Sequence, residues 1–69
     1  MASVAKVVEL VADSNKGFDD AIQQGLVVVS KTIRNITGLD VKHMTCTVSN
    51  GKITHYKVTL HVAFGIENT

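Results

Sequence analysis

Few side chains in this 69-residue sequence could do chemistry, and their spacing argues against most of it. The candidate metal ligands and nucleophiles are His43, His55, His61 and the single cysteine, Cys46. His55 and His61 share one face of a strand, but at about 3.3 Å per residue they lie roughly 20 Å apart, too far to hold one metal ion within a subunit. Symmetry in an assembly could gather copies around an axis; otherwise these are solvated or hydrogen-bonded surface histidines. Cys46 falls on the apolar phase of its strand and reads as a small buried hydrophobe, with no nearby base to activate it. Asp19 and Asp20 are adjacent on a helix and point to different sides. They therefore suit the positive end of a helix better than paired acid/base catalysis. No glycine-rich phosphate loop, His-Glu zinc motif or nucleophile elbow is present, so the sequence does not read as an enzyme.

The elements that must position these residues begin with a hairpin. Asn50-Gly51 supplies the positive φ angles of a type I′ turn and separates two strand-type runs, Leu39 to Ser49 and Lys52 to Ile66. In the second run Thr54, Tyr56, Val58, Leu60, Val62, Phe64 and Ile66 form one face, and His55, Lys57, Thr59, His61, Ala63 and Gly65 the other. In the first run Leu39 and Val41 are apolar on odd positions, whereas Met44, Cys46 and Val48 are apolar on even ones. A β-bulge near Lys42 or His43 restores the phase.

Upstream, Val4 to Ala12 reads as a strand with apolar residues on both faces, and Asp13 to Gly17 as a loop. Phe18, Ile22, Leu26, Val29, Ile33 and Ile36 then recur at helical spacing, predicting a helix over about 17–36 that covers the hairpin, with Lys31 and Arg34 in its closing turns and Gly38 as its stop. Val27 to Val29 and Gly25 favour a competing strand over Gly25 to Ser30, but the period favours the helix. The expected fold is α+β, a single βαββ domain over 1–69 with strands at about 4–12, 39–49 and 52–66.

Seven Lys and Arg nearly balance six Asp and Glu, leaving no electrostatic footprint for nucleic acid or an anionic membrane. No stretch is long and apolar enough to span a bilayer and no signal segment is visible, so the expected location is the cytoplasm, which a single cysteine fits. A domain this small is marginal alone, a lone cysteine cannot form an internal disulfide, and Val27 and Val28 lie off the helix stripe. Self-association is the expected remedy.

Lys6-Val7-Val8-Glu9-Leu10-Val11, Thr32-Ile33-Arg34-Asn35, Gly51-Lys52-Ile53-Thr54-His55-Tyr56-Lys57-Val58-Thr59-Leu60 and Val62-Ala63-Phe64, in that order, resemble the dodecins across essentially the whole chain. The resemblance implies a three-stranded antiparallel sheet wrapped around one helix, and twelve copies in a hollow shell that stores or sequesters flavin, as FMN or riboflavin. In the family a tryptophan after the helix stacks on the flavin ring and a glutamine in the last strand bonds its edge. Here those positions are Gly38 and Lys57, and the family's Arg-Gly-His stretch is Thr45-Cys46-Thr47. Three readings follow. The shell holds a flavin or related nucleotide, with Lys6 and Lys57 as anion contacts; Lys6 matches a family lysine and Lys57 is a substitution. Alternatively the chain resembles tryptophan-less dodecins, at least one of them calcium-binding, and builds a calcium site across subunits, since Glu9, Asp13, Asp19, Asp20, Asp40 and Glu67 form no EF-hand loop. In the third reading the chain is a shell former whose small-molecule site has decayed.

Overall fold

The computed structural model describes residues 4–66. Four elements follow one another: β1 (Val4–Ser14), α1 (Phe18–Val29), β2 (Ile36–Ser49) and β3 (Lys52–Ile66). The strands form one antiparallel sheet in the order β1-β3-β2, so the last strand in the chain is the central one. The βαββ architecture is thus the one the sequence predicts. Asn50 (φ 52°) and Gly51 (φ 75°) make the tight turn between β2 and β3, both in the left-handed region that asparagine and glycine tolerate best.

α1 packs on one face of the sheet. Val58, Leu60 and Val62 of β3 are buried beneath Ala21 and Val29, and Val8, Leu10 and Ala12 of β1 close the same core from the side. Gly25 lies where helix and sheet approach most closely. A Cβ there would meet Leu60 Cδ1 at 2.9 Å, Ala12 Cβ at 3.2 Å and Leu10 Cδ1 at 3.3 Å. The glycine that weakens the helix locally therefore lets it sit down on the sheet, and Gly25 to Val29 is helical rather than a strand. At the other end of α1, Ser14 Oγ donates to Asp20 Oδ2 at 2.6 Å and accepts from the Lys16 amide at 2.9 Å. Asp20 thus ties the first turn of α1 to the end of β1, while Asp19 is exposed.

The helix is shorter than its apolar period predicts. It ends at Val29, not near Ile36, and Gly38 is not its stop but a residue of β2. Ser30 Oγ donates to the Leu26 carbonyl at 2.6 Å, and the amides of Thr32 and Ile33 both bond the Val29 carbonyl. The last turn is satisfied there without further helix. Asn35, at φ 62°, then turns the chain into β2. Ile33 and Ile36 still pack against the core, the first from the connection and the second from β2, which is why the period runs on past the helix. Lys31 and Arg34 consequently lie beyond α1 rather than in its closing turns.

β2 carries the expected bulge: its register against β3 shifts between Val41 and His43. Two further shifts, between Ile36 and Gly38 and between Thr47 and Val48, are not foreshadowed by the alternation. Beyond the N-terminal end of α1, where Phe18 meets Tyr56, the β2–β3 hairpin continues as an arm, giving the protein extents of 55 × 20 × 13 Å. Met44, Val48 and Ile53 of that arm are exposed, and so is Cys46, contrary to its expected burial. Cys46 is on the helix side of the sheet, paired in register with Tyr56, but α1 begins at Phe18, whose ring meets that of Tyr56, and packs over β1 and β3 rather than over β2. Among the described residues no helix is long and apolar enough to cross a membrane.

Candidate functional site

The face of the sheet turned away from α1 holds most of the side chains with chemical potential. Strand register arranges them in rows across β1, β3 and β2. Val7, Ala63 and Gly38 form the first row, and Glu9, His61 and Asp40 the second. Val11, Thr59 and His43 follow, then Asp13, Lys57 and Thr45, then His55 and Thr47. The alternation of β3 requires this arrangement, because Val58, Leu60 and Val62 occupy the helix side.

Two rows are held by cross-strand bonds that the sequence does not reveal. His61 Nε2 lies 2.7 Å from Glu9 Oε1, and His55 Nδ1 lies 3.2 Å from Asp13 Oδ1. An ionised carboxylate only accepts, so each of these ring nitrogens carries the hydrogen. Local signals fix the hairpin register but say nothing about which β1 carboxylate meets which β3 histidine. The first row is floored by small residues. A hollow of 260 Å³ opens there, lined by Val7, Gly38, Leu39, Asp40, His61 and Ala63. A Cβ built on Gly38 meets no atom within 4 Å, so the position has room for a large side chain.

The fold does not bring the two candidate lysines together. Lys57 is on the outer face opposite Asp13 and Thr45, whereas Lys6 pairs with Phe64 on the helix side, seven rows away and so roughly 20 Å along the strands. One anion cannot touch both within a single copy. Thr45, Cys46 and Thr47 lie on the exposed arm opposite Lys57, Tyr56 and His55. Among the described residues no group of three or more His, Cys, Asp or Glu is placed to hold a metal ion; Glu67 lies outside those residues.

A second depression, 480 Å³, runs between α1 and the edge strand β1. It is mostly apolar, with Leu10, Val11, Ala12, Val28 and Val29 among its walls. Val11 and Val28, 57% and 60% exposed, are left uncovered along it by the chain's own elements.

Comparison with known proteins agrees with this architecture. The dodecin family model matches residues 4–67. A dodecin from Thermus thermophilus is 38% identical over 69 residues, covering all of both chains. The crystal structure of an arginine-to-alanine variant of the T. thermophilus dodecin superposes with a TM-score of 0.91 at 37% identity, over 99% of this chain and 100% of that one. The dodecin of Streptomyces coelicolor gives 0.89 at 25% identity, covering 97% and 96%. A calcium dodecin from Mycobacterium tuberculosis, whose structure holds a calcium-binding site, gives 0.79 at 24% identity over the same shares and shares the fold. With its βαββ order, its single helix seated on a three-stranded sheet, and similarity running the length of the chain, this protein belongs to the dodecin family.

Proposed function

We propose that the protein is a cytoplasmic, self-assembling binding or storage protein with no catalytic role, twelve copies forming a hollow shell that sequesters a small ligand between subunits. The observation that carries the reading is the apolar surface one copy leaves open. Val7, Val11, Val28, Met44, Val48 and Ile53 are all at least half exposed, while among the described residues only Ala21, Val58, Leu60 and Val62 are fully buried hydrophobics, with Val29 nearly so. A core of that size is marginal for a lone domain, and large uncovered apolar surface in a small protein marks an interaction surface. The valines along the groove between α1 and β1 and the apolar side of the hairpin arm are the surfaces a neighbouring copy would cover.

Flavin, as FMN or riboflavin, is the ligand the family membership favours, held weakly because Gly38 offers no ring to stack on. Stacking on an aromatic side chain is worth about 1 to 3 kcal/mol per base in nucleic-acid systems. Lys57, on the outer face, and Lys6, on the helix side, then act as anion contacts from different copies. The test is light scattering for the assembled mass, followed by titration of the oligomer into dilute FMN with fluorescence as the readout. A twelve-subunit mass with weak, saturable quenching supports the proposal, and a monomer mass refutes it. An oligomer without quenching whose melting temperature rises with calcium would instead place an ion, held by carboxylates of several copies, in the role of ligand.

A further inference from the structure

Asn15, Asn35 and Asn50 lie among the described residues, and the fold treats them differently. An asparagine side chain can be attacked at Cγ by the backbone nitrogen of the next residue. A five-membered succinimide closes, the side-chain nitrogen leaves as ammonia, and water opens the ring at either carbonyl to give aspartate or isoaspartate. Ring closure holds ψ of the asparagine near about −120°, so the peptide plane that follows it must be free to turn.

Two of the three asparagines are locked. The Lys16 amide, which would be the nucleophile for Asn15, donates to Ser14 Oγ at 2.9 Å. Asn35 has a φ of 62°, but its carbonyl accepts from the Gly65 amide at 2.9 Å, and Ile36 after it pairs with Phe64 in the sheet. The peptide plane between Asn35 and Ile36 is therefore held from both sides.

At Asn50 nothing holds it. The last ladder pair of the hairpin is Ser49 with Lys52, so the peptide between Asn50 and Gly51 lies outside the ladder. Both residues are exposed, and a Cβ built on Gly51 meets no atom within 4 Å. Among the described residues no turn or loop hydrogen bond engages the Asn50 carbonyl or the Gly51 amide. Asn50 stands at φ 52°, near the value of about 60° that type I′ and type II′ turns share at this position. Rotating the one free peptide plane converts the first turn type into the second. It takes ψ of Asn50 from about 30° to about −120°, and both are hairpin turns, so the flanking strands keep their pairing. The same rotation carries φ of residue 51 from positive to negative, which glycine crosses without steric cost.

We infer that Asn50 is a self-modification site, converted in the folded protein to aspartate and isoaspartate by the Gly51 amide and a water molecule. The turn that closes the hairpin is also where the chain ages chemically. Each conversion adds one carboxylate and takes the formal net charge from +1 to zero. Isoaspartate also lengthens the backbone by a carbon inside the tight turn, against the register of Ser49 and Lys52. The inference requires only that the turn stay in water, in a single copy or in an assembly.

The test is incubation of the assembled protein at mildly basic pH in water enriched in heavy oxygen, with light scattering recording the assembled mass. Peptide mass spectrometry with electron-transfer fragmentation reads Asn15, Asn35 and Asn50, and the heavy label separates hydrolysis during incubation from hydrolysis during digestion. The same chain unfolded in guanidinium chloride gives the unrestrained rates. In the folded protein Asn50 should convert to both products within about tenfold of its unfolded rate, while Asn15 and Asn35 stay intact. Asn50→Gly keeps a residue suited to positive φ and should abolish the acidic species that isoelectric focusing resolves. An intact Asn50, a folded rate slower by more than that factor, conversion of Asn35 at the rate of Asn50, or acidic species persisting in the variant would overturn the inference. A monomer mass would defeat the shell proposed above while leaving the state of Asn50 to decide this one.

Discussion

Replacing Gly25 by alanine sets two effects of similar size against each other, and the geometry decides between them. In a helix interior alanine is favoured over glycine by about 0.8 to 1.0 kcal/mol, so propensity alone predicts a more stable protein. The added methyl, however, would stand 2.9 Å from Leu60 Cδ1, 3.2 Å from Ala12 Cβ and 3.3 Å from Leu10 Cδ1, against an optimum of about 3.5 to 4.0 Å for carbon contacts. Leu60 is fully buried and the Ala12 methyl is fixed to its strand, so α1 must lift by a few tenths of an ångström. Overpacking of this kind costs about 1 to 3 kcal/mol. The expected net effect is destabilisation of up to about 2 kcal/mol for Gly25→Ala. Gly25→Val should cost more, since it adds volume without helix propensity. Urea unfolding followed by circular dichroism measures both, at two protein concentrations because assembly and folding are coupled. A Gly25→Ala protein more stable by the full propensity gain would refute the close-packing account.

Three further outcomes are expected. Gly51→Ala forces a methyl-bearing residue to φ 75° in the hairpin turn and should lower stability by about 1 to 2 kcal/mol in the same unfolding assay. Gly38→Trp adds a Cβ that meets no atom within 4 Å and supplies the missing stacking surface. It should tighten FMN binding by about 5- to 150-fold in a fluorescence titration, and a flat titration would contradict the pocket assignment. Val28→Lys places a charge in the apolar groove between α1 and β1, and light scattering should show the assembly shift towards smaller species while circular dichroism of the subunit is kept.

What the sequence made legible depended on how local the signal was. Asn50-Gly51 is a two-residue statement about backbone angles, and the turn forms there. The bulge at Lys42 was visible because a phase error between Val41 and Met44 has few other remedies. The shift near Thr54 left no such trace, since threonine and isoleucine suit either face. Helical spacing from Phe18 to Ile36 correctly named the residues that reach the core, but periodicity records which side a residue faces and not which element carries it. Ile33 and Ile36 keep the beat after the helix has ended. For the same reason Cys46 was assigned to the correct side of β2 and the wrong degree of burial: alternation does not tell how far the covering helix reaches. The pairs His61–Glu9 and His55–Asp13 join residues 52 and 42 positions apart, and no short-range pattern encodes that register.

The strand order β1-β3-β2 has a consequence for how the chain acquires its structure during synthesis. β1 and β2 both precede β3 in the chain, yet neither pairs with the other; each finds its hydrogen-bond partners only in β3. β1 and β2 therefore wait on the ribosome without partners until the final strand has emerged, and α1 has no sheet to rest on. The β2–β3 hairpin can then close locally, whereas β1 must return across the intervening chain, so the slow, late event is the docking of the first-made strand. Until then the valines of β1 are exposed in an unpaired strand, which makes the newly released chain most vulnerable to aggregation in the interval before that docking.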